Sequence, residues 1–394
     1  MDRRKRFCAA LITFSIILFS SYANAQPASI SSGLSYLQST QTPEGYWGAA
    51  NEVPYNSFLD TCAATETMRF LNVTGTAYSS AIQWMNPVEV NNNDYLFAKF
   101  LNLSQAGMDV STIRDTLIAS RNSDGGWGVS AGGTSDVKRT ALALQALKAA
   151  NFSDTTVLYQ AINFLTTNQH SDGGWGFTSN DSSNAYVTAM VLRSLSGYSS
   201  QFSVQSSISN AAAFLLTKQT QNNDGGFGSS PSTVYETALS VMALIESGQG
   251  TPQALQNAIT YLTNTQLSNG SWNDDPYSTA LALQALANVR PNLQLSSISL
   301  SKPMPRTGED VTITALVANN GLEDATGVVV RFYAGDPASG GVQIGTGQMI
   351  TSIGRGSASQ AAITTNFSGS GAKTIYAVVD PDNLISETAE NDNS

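Results

Sequence analysis

Gln169-His-Ser-Asp-Gly173-Gly-Trp175 decides the fold, because the pattern recurs along the chain. Gln41-Thr-Pro-Glu-Gly45-Tyr-Trp47 and Gln266-Leu-Ser-Asn-Gly270-Ser-Trp272 share its Gln-x3-Gly-x-Trp spacing. Arg121-Asn-Ser-Asp-Gly125-Gly-Trp127 opens on Arg instead, and Gln221-Asn-Asn-Asp-Gly225-Gly-Phe227 closes on Phe. The aromatic residues are spaced by 80, 48, 52 and 45 positions, so a degenerate unit, Tyr78 to Ala106, fits between the first two. A fixed period of this length marks a repeat architecture.

Each unit reads as helix, glycine turn, helix. Before the turns, apolar residues fall at i, i+4 and i+7, as in Leu158, Ile162, Leu165 and in Leu255, Ile259, Leu262. That period describes an amphipathic helix. After the turns come helices apolar on nearly every side, such as Thr140-Ala-Leu-Ala-Leu-Gln-Ala-Leu147 and Thr279-Ala-Leu-Ala-Leu-Gln-Ala-Leu286. A helix apolar all round is buried. The first helix of each pair is therefore expected outside and the second inside. Asp/Asn-Gly steps tolerate positive φ and turn the chain between them. Six hairpins, at about 28–72, 77–106, 109–150, 154–197, 203–247 and 251–289, make an (α/α)6 toroid if the row closes and a helical solenoid if it stays open. The apolarity of the second helices favours closure.

The Gln-x3-Gly-x-Trp units resemble the QW repeats of the squalene cyclase and protein prenyltransferase superfamily over about residues 28–289. The resemblance implies an α/α toroid whose central cavity opens where the turns and the inner-helix N-termini gather. In that superfamily the cavity holds isoprenoid chains. Gln41, Trp47, Trp127, Gln169, Trp175, Phe227, Gln266 and Trp272 are the structural residues of the repeat.

From Asn288 the composition changes. Val311-Thr-Ile-Thr-Ala-Leu-Val317, Val328-Val-Val-Arg-Phe-Tyr333 and Thr374-Ile-Tyr-Ala-Val-Val379 alternate with period two between Gly, Pro, Asn and Asp clusters. This is the pattern of an all-β sandwich. Val317-Ala-Asn-Asn-Gly321, Phe332-Tyr-Ala-Gly335, Ile344-Gly345, Val379-Asp-Pro-Asp-Asn-Leu-Ile385 and Glu387 to Asn393 resemble the CARDB family of immunoglobulin-like, adhesion-related modules. The expected division is a linker over 290–300 and a sandwich over 301–394. In that family a further strand follows the Glu-Asn-Asp-Asn segment, so a sandwich ending at Ser394 is expected to leave an edge open to a protein partner.

At the other end, Arg3, Arg4, Lys5 and Arg6 precede an apolar run from Phe7 to Phe19, and Ala23-Asn24-Ala25 follows. This run of thirteen residues falls short of the ~20 that span a bilayer. Residues 1–25 read as a secretory signal peptide, leaving a toroid over 26–289 and a secreted, periplasmic or cell-surface product. Removing Cys8 leaves Cys62 alone, so an intramolecular disulfide is excluded. Charged residues are only 12% of the chain and the net charge is −10. With no basic run past the N-terminus, a nucleic-acid partner is excluded for want of phosphate-neutralising charge. No other stretch suits a membrane span.

The chemistry-bearing residues are sparse. A squalene-cyclase-type acid motif, Asp-x-Asp-Asp, would need Asp where Trp272 stands before Asp274-Asp275, and an Asp-Asp-x-x-Asp motif fails at Ser278. Asp60-Thr61-Cys62 resembles the Asp-x-Cys zinc ligands of protein prenyltransferases, but those add a His, and the one His here, His170, belongs to the fourth hairpin, across the ring. The expectation is no metal, no cofactor and no catalytic residue. Cys62 reads as a small buried apolar residue and Asp124, Asp172 and Asp224 as turn formers rather than calcium ligands. A tyrosine recurs at or near the inner-helix starts: Tyr55, Tyr95, Tyr186, Tyr235 and Tyr277. Asp60, Asp94, Asp136, Arg139, Glu236, Asp274 and Asp275 lie beside them. On a closed toroid these twelve converge on one mouth, an aromatic-lined concavity suited to an apolar or glycan ligand. Helix capping and hairpin packing explain the acidic residues at helix starts without any ligand.

Three functions fit. A secreted ligand-binding or surface-assembly protein accounts for the appended sandwich and the missing motifs. An isoprenoid cyclase or transferase accounts for the scaffold. An extracellular glycan lyase or hydrolase would use Tyr235 with Glu236, or Asp274 with Asp275.

Overall fold

The computed structural model describes residues 28–48, 55–368, 371–385, 387 and 393–394; the expected signal segment 1–25 lies outside them. Twelve α-helices fill the first part: α1 Ala28–Thr40, α2 Tyr55–Phe70, α3 Thr76–Met85, α4 Asn93–Gln105, α5 Ser111–Ala119, α6 Val137–Ala149, α7 Thr155–Thr167, α8 Ala185–Ser196, α9 Gln205–Asn222, α10 Val234–Glu246, α11 Pro252–Thr265 and α12 Pro276–Ala287. The even-numbered helices pack side by side in order, and α12 returns to α2. The ring is a closed (α/α)6 toroid. Each odd-numbered helix lies outside, against the inner helix before it, so α1 covers α12.

Closure is carried by contacts more than 200 residues apart in sequence. Gln284 Nε2 donates to Thr67 Oγ1 at 2.9 Å, and Thr67 Oγ1 donates to the Ala280 carbonyl at 3.0 Å. Gln266 Nε2 donates to the Ser29 carbonyl at 2.8 Å. A Cβ added at Gly33 would meet Leu283 at 2.8 Å and the Trp272 ring at 3.1 Å, which is how closely α1 beds onto the last hairpin.

One set of bonds recurs in each hairpin with a tryptophan. Trp47, Trp127, Trp175 and Trp272 are fully buried, and each indole N–H donates to a leucine carbonyl ten residues earlier: Leu37, Leu117, Leu165 and Leu262, all at 2.7 to 2.8 Å. This satisfies a carbonyl that the end of the outer helix leaves without a partner. The backbone N–H of each aromatic residue, Phe227 included, donates to a threonine hydroxyl one turn into the inner helix: Thr61, Thr140, Thr188, Thr237 or Thr279. The turn glycine has φ +87° at Gly173, and a Cβ there would stand 2.4 Å from the Asn210 carbonyl of the next outer helix. A side chain is excluded twice, by backbone conformation and by contact. Asp172 accepts from Gly174 N and Ser183 Oγ, and Asp124 and Asp224 do the same in their turns, which is the expected turn chemistry.

The fifth hairpin departs from the sequence reading. Gln219, not Gln221, reaches the turn glycine carbonyl (Gly225, 2.7 Å) and the next outer helix (Ala254, 2.8 Å). Helix α9 runs on to Asn222 before the left-handed Asn223 stops it, so the glutamine facing α11 is two residues earlier. The degenerate second hairpin has its own small core of Phe58, Cys62, Ile82, Met85 and Leu103. Cys62 Sγ lies 3.9 Å from Met85 Sδ, and burial pushes its thiol well up, as suits an inert apolar residue.

The second part is a β-sandwich of β1 Leu293–Leu300, β2 Val311–Asn319, β3 Ala325–Ala334, β4 Val342–Ile353, β5 Ala358–Thr365 and β6 Ile375–Val379. All pairings are antiparallel, in sheets ordered β1-β2-β5 and β4-β3-β6. The stretch expected as a linker over 290–300 is largely β1. In β2, Ile313, Ala315 and Val317 alternate inward against Val328, Val330 and Phe332 of β3. Asn319 is fully buried, its amide donating to the Glu323 and Ile353 carbonyls and its carbonyl accepting from Asn292 and Gly321 N–H. It ties the entry of β1 to the β2–β3 turn. Leu322, on that turn, packs against the helical core. Beyond β6, Val379 N–H donates to the Asn393 carbonyl at 2.8 Å.

Candidate functional site

Five inner helices start alike. Asn92, Asp136, Asn184, Thr233 and Asp275 are N-caps whose side chains accept the N–H three residues on. The residue two past each cap is Asp94, Lys138, Tyr186, Tyr235 or Tyr277, and Leu59 matches them in α2, two before Thr61. These six form a collar at the mouth of the toroid. Four residues further along come Ala63, Ala98, Leu142, Met190, Leu239 and Leu281, an apolar layer across the axis. Three further come Glu66, Leu101, Gln145, Arg193, Met242 and Gln284. The steps of four and three keep each position on one helix face, so stacked rings of side chains cross the axis, the third ring lining a separate cavity of about 400 Å³. A space of about 130 Å³ is left in the apolar layer.

Above the collar is a cavity of about 680 Å³, lined by Asn56, Leu59, Asp60, Phe177, Asn184, Tyr186, Tyr235, Glu236, Asp275, Tyr277 and Ser278. Tyr186 and Tyr235 meet edge to face at 5.8 Å, and Phe177, 44% exposed at the rim, lies 6.2 Å from Tyr186. The Tyr277 hydroxyl is pushed well up by burial and by the Tyr186 hydroxyl bonded to it. Tyr235 is pushed up by burial and then by Glu236. Glu236 is only 5% exposed and accepts from the hydroxyl of its own N-cap, Thr233 Oγ1, at 2.7 Å. Burial pushes its carboxyl up, opposed by the Thr233 hydroxyl and by the Tyr186 and Ser229 N–H groups, which hold the charged form.

Six of the twelve sequence candidates line this cavity: Asp60, Tyr186, Tyr235, Glu236, Asp275 and Tyr277. Others do not converge there. Asp94 pairs with Lys138 at 3.2 Å and with Arg139 at 2.6 Å, and Arg139 pairs with Asp136 at 2.6 Å, forming an ion network on α4 and α6. Tyr95 lies one position past the collar and packs edge to face on Phe58 at 5.9 Å. Asp274 has φ +52°, and its carboxylate turns back to accept from Asn269 Nδ2 at 2.6 Å and Ser271 Oγ at 3.2 Å. Tyr55 is the first residue of α2, and its side chain lies outside the described residues. Sequence reasoning missed Asn56, Leu59, Phe177, Asn184 and Ser278 in the cavity lining and Lys138 in the collar. Counting two residues back from the conserved-in-repeat threonine would have found Leu59 and Lys138. His170 bonds Ser183 Oγ at 2.9 Å within its turn, far in sequence and element from Cys62. Among the described residues no three His, Cys, Asp or Glu side chains group to hold a metal, and no helix is long and apolar enough to cross a membrane.

Fold and mouth together define a closed helical-hairpin toroid with a narrow apolar layer across its axis, followed by an immunoglobulin-like sandwich. Residues 133–283 match the family model of the squalene-hopene cyclase C-terminal domain and residues 290–394 match CARDB, so the chain joins a squalene-cyclase-type repeat region to a CARDB domain. Similar solved structures include ent-copalyl diphosphate synthase from Streptomyces platensis, 19% identical over 59% of this chain and 50% of that one, with a TM-score of 0.47. The type II terpene cyclase MstE from Scytonema is 18% identical over 66% and 96%, with a TM-score of 0.37. A CARDB domain from Pyrococcus furiosus, solved in complex with di-metal ions, is 21% identical over 26% and 82%, with a TM-score of 0.22. The chain spans about half the length of the Streptomyces synthase. No curated protein matches it.

Proposed function

We propose that this is a non-catalytic ligand-binding or surface-assembly protein working outside the cytoplasm, with the toroid mouth as its binding face and the CARDB domain as its adhesion module. The observation that carries this reading is the narrow apolar layer that closes the axis beneath the collar. A cavity meant for a whole isoprenoid chain needs several hundred Å³ of apolar space, whereas the apolar layer beneath the collar leaves about 130 Å³. A larger open space lies above it, where the lining is mixed aromatic and acidic, and a cavity of about 400 Å³ beyond it is lined by charged and amide side chains such as Glu66, Arg69, Gln145 and Arg193. The acid motif supports the same reading. Trp272 occupies its first position as a buried packing residue, and Asp274 is engaged within its turn. At the mouth, burial raises the titration of Glu236, and the Thr233 hydroxyl and two backbone N–H groups hold its carboxyl in place within the cap of α10. The glycan lyase or hydrolase reading loses the Asp274–Asp275 pair by the same geometry. The basic and apolar N-terminal segment supports an extracytoplasmic site of action. Incubation of the mature chain with squalene and with geranylgeranyl diphosphate, followed by mass spectrometry of the extract, is expected to return both unchanged. A cyclised product would overturn the reading.

A further inference from the structure

We propose that the mouth receives an alkylammonium group, the protonated end of a polyamine or of a lysine side chain. This rests on the toroid mouth being a binding face and names what it binds. Three aromatic rings at equivalent helical positions, Tyr186, Tyr235 and Tyr277, stand on one side of the collar, with Phe177 exposed at the rim beside Tyr186. Aromatic faces attract organic cations, most strongly where water is excluded. Three carboxylates, Asp60, Glu236 and Asp275, line the same cavity, and among the described residues no lysine or arginine does. The nearby cations are engaged elsewhere, Lys138 and Arg139 by Asp94 and Asp136.

Glu236 gives the second, independent reason. It is 95% buried by its 5% exposure, and among the described residues no basic side chain pairs with it. A buried carboxylate held only by neutral donors leaves charge uncompensated, and an entering ammonium would compensate it. The same three carboxylates disfavour a diphosphate or any other anion. The narrow apolar layer beneath the collar limits how much of the ligand enters, admitting the end of an extended chain to the collar and no further.

Isothermal titration of the full mature chain with spermidine and with a trilysine peptide tests this, with a neutral cello-oligosaccharide as the comparison. At least one of the two cations is expected to bind, and the oligosaccharide is expected not to. Binding of spermidine alone would assign a free polyamine, and of trilysine alone a protein partner; either supports the proposal. Tyr186→Ala is expected to weaken the cation by about tenfold. Glu236→Gln, which keeps the side chain's size and an acceptor for the Thr233 hydroxyl, and Asp60→Asn are each expected to weaken it similarly, while Asp115→Asn on the far outer helix α5 leaves it unchanged. Circular dichroism of each variant checks that it folds. If neither cation binds, or if both variants at Glu236 and Asp60 bind it as the parent does, the ammonium proposal falls. Oligosaccharide binding lost in Tyr186→Ala would then preserve the mouth as a binding face with a different ligand. Cyclisation of squalene would instead remove the underlying reading.

Discussion

Gln169 directs both N–H bonds of its amide to backbone carbonyls, Gly173 of its own turn at 2.8 Å and Ser207 of the next outer helix at 3.0 Å. Gln41, Gln219 and Gln266 make the same pair of bonds in their hairpins. One side chain thus fixes the turn and staples it to the following repeat, which is why a glutamine recurs four residues before the turn glycine in three hairpins. Leaving part-buried carbonyls without donors costs about 1–3 kcal/mol. Gln169→Leu, similar in volume and unable to donate, is therefore expected to lower stability by about that amount in urea unfolding, with helical content retained. A loss below about 0.5 kcal/mol would mean that water replaces the amide at no cost. At the mouth, residue identity is legible only where the repeat keeps it. Tyr186, Tyr235 and Tyr277 recur at one offset and stand out in the sequence, whereas Leu59, Asp94 and Lys138 hold equivalent positions with unlike side chains and do not. Asp274 misleads because its left-handed backbone, not its residue type, decides where the carboxylate points.

At the scale of the hairpin, the aromatic residue joins the two helices that the turn separates. Trp175 receives nothing from solvent: its ring is fully buried, its indole N–H meets the Leu165 carbonyl at the end of α7, and its backbone N–H meets Thr188 in α8. The fifth hairpin makes do with Phe227, which keeps the burial and the backbone bond to Thr237 and lacks the indole bond. That natural difference separates the two contributions. Trp175→Ala is expected to cost about 3–5 kcal/mol, the range for a large buried aromatic. Trp175→Phe, losing the indole bond and part of the ring, is expected to cost less than half of that, both read from denaturant melts. Equal costs for the two would place the stabilisation in the hydrogen bond rather than in packing. Hairpins were legible because a helical period on either side of a glycine turn has few other readings. Strand β1 was not, because a register shift between Leu295 and Ser297 breaks the period of two on which the reading depends. Gln221 keeps the repeat spacing in the sequence but not the repeat's bonds, because α9 runs on to the left-handed Asn223 and places Gln219 at the turn instead.

For the whole molecule, the choice between ring and solenoid rests on what the first hairpin touches. In an open row of repeats the end unit contacts one neighbour, and removing it subtracts one interface from a roughly additive stability. Here the first hairpin has two neighbours. Its α2 packs on α4 in one direction and on α12 in the other, while α1 covers α12 and buries Trp272 through Gly33. Ser29 and Thr67 also supply the partners of Gln266 and Gln284, both of which would lose their bonds together. Deleting residues 28–72 would therefore open two inner-helix faces, those of α4 and α12, and uncover the last tryptophan. It would also remove Asn56, Leu59 and Asp60 from the mouth. The shortened chain is expected to lose the cooperative unfolding transition of its helical part and to associate through the exposed faces, followed by circular dichroism during heating and by light scattering. The sandwich, with its own core, is expected to keep its β signal in the same sample. A shortened chain that stays monomeric and unfolds cooperatively, with helicity reduced only in proportion to the helices removed, would show that the hairpins stack as an open solenoid and that the closing contacts to α12 contribute little.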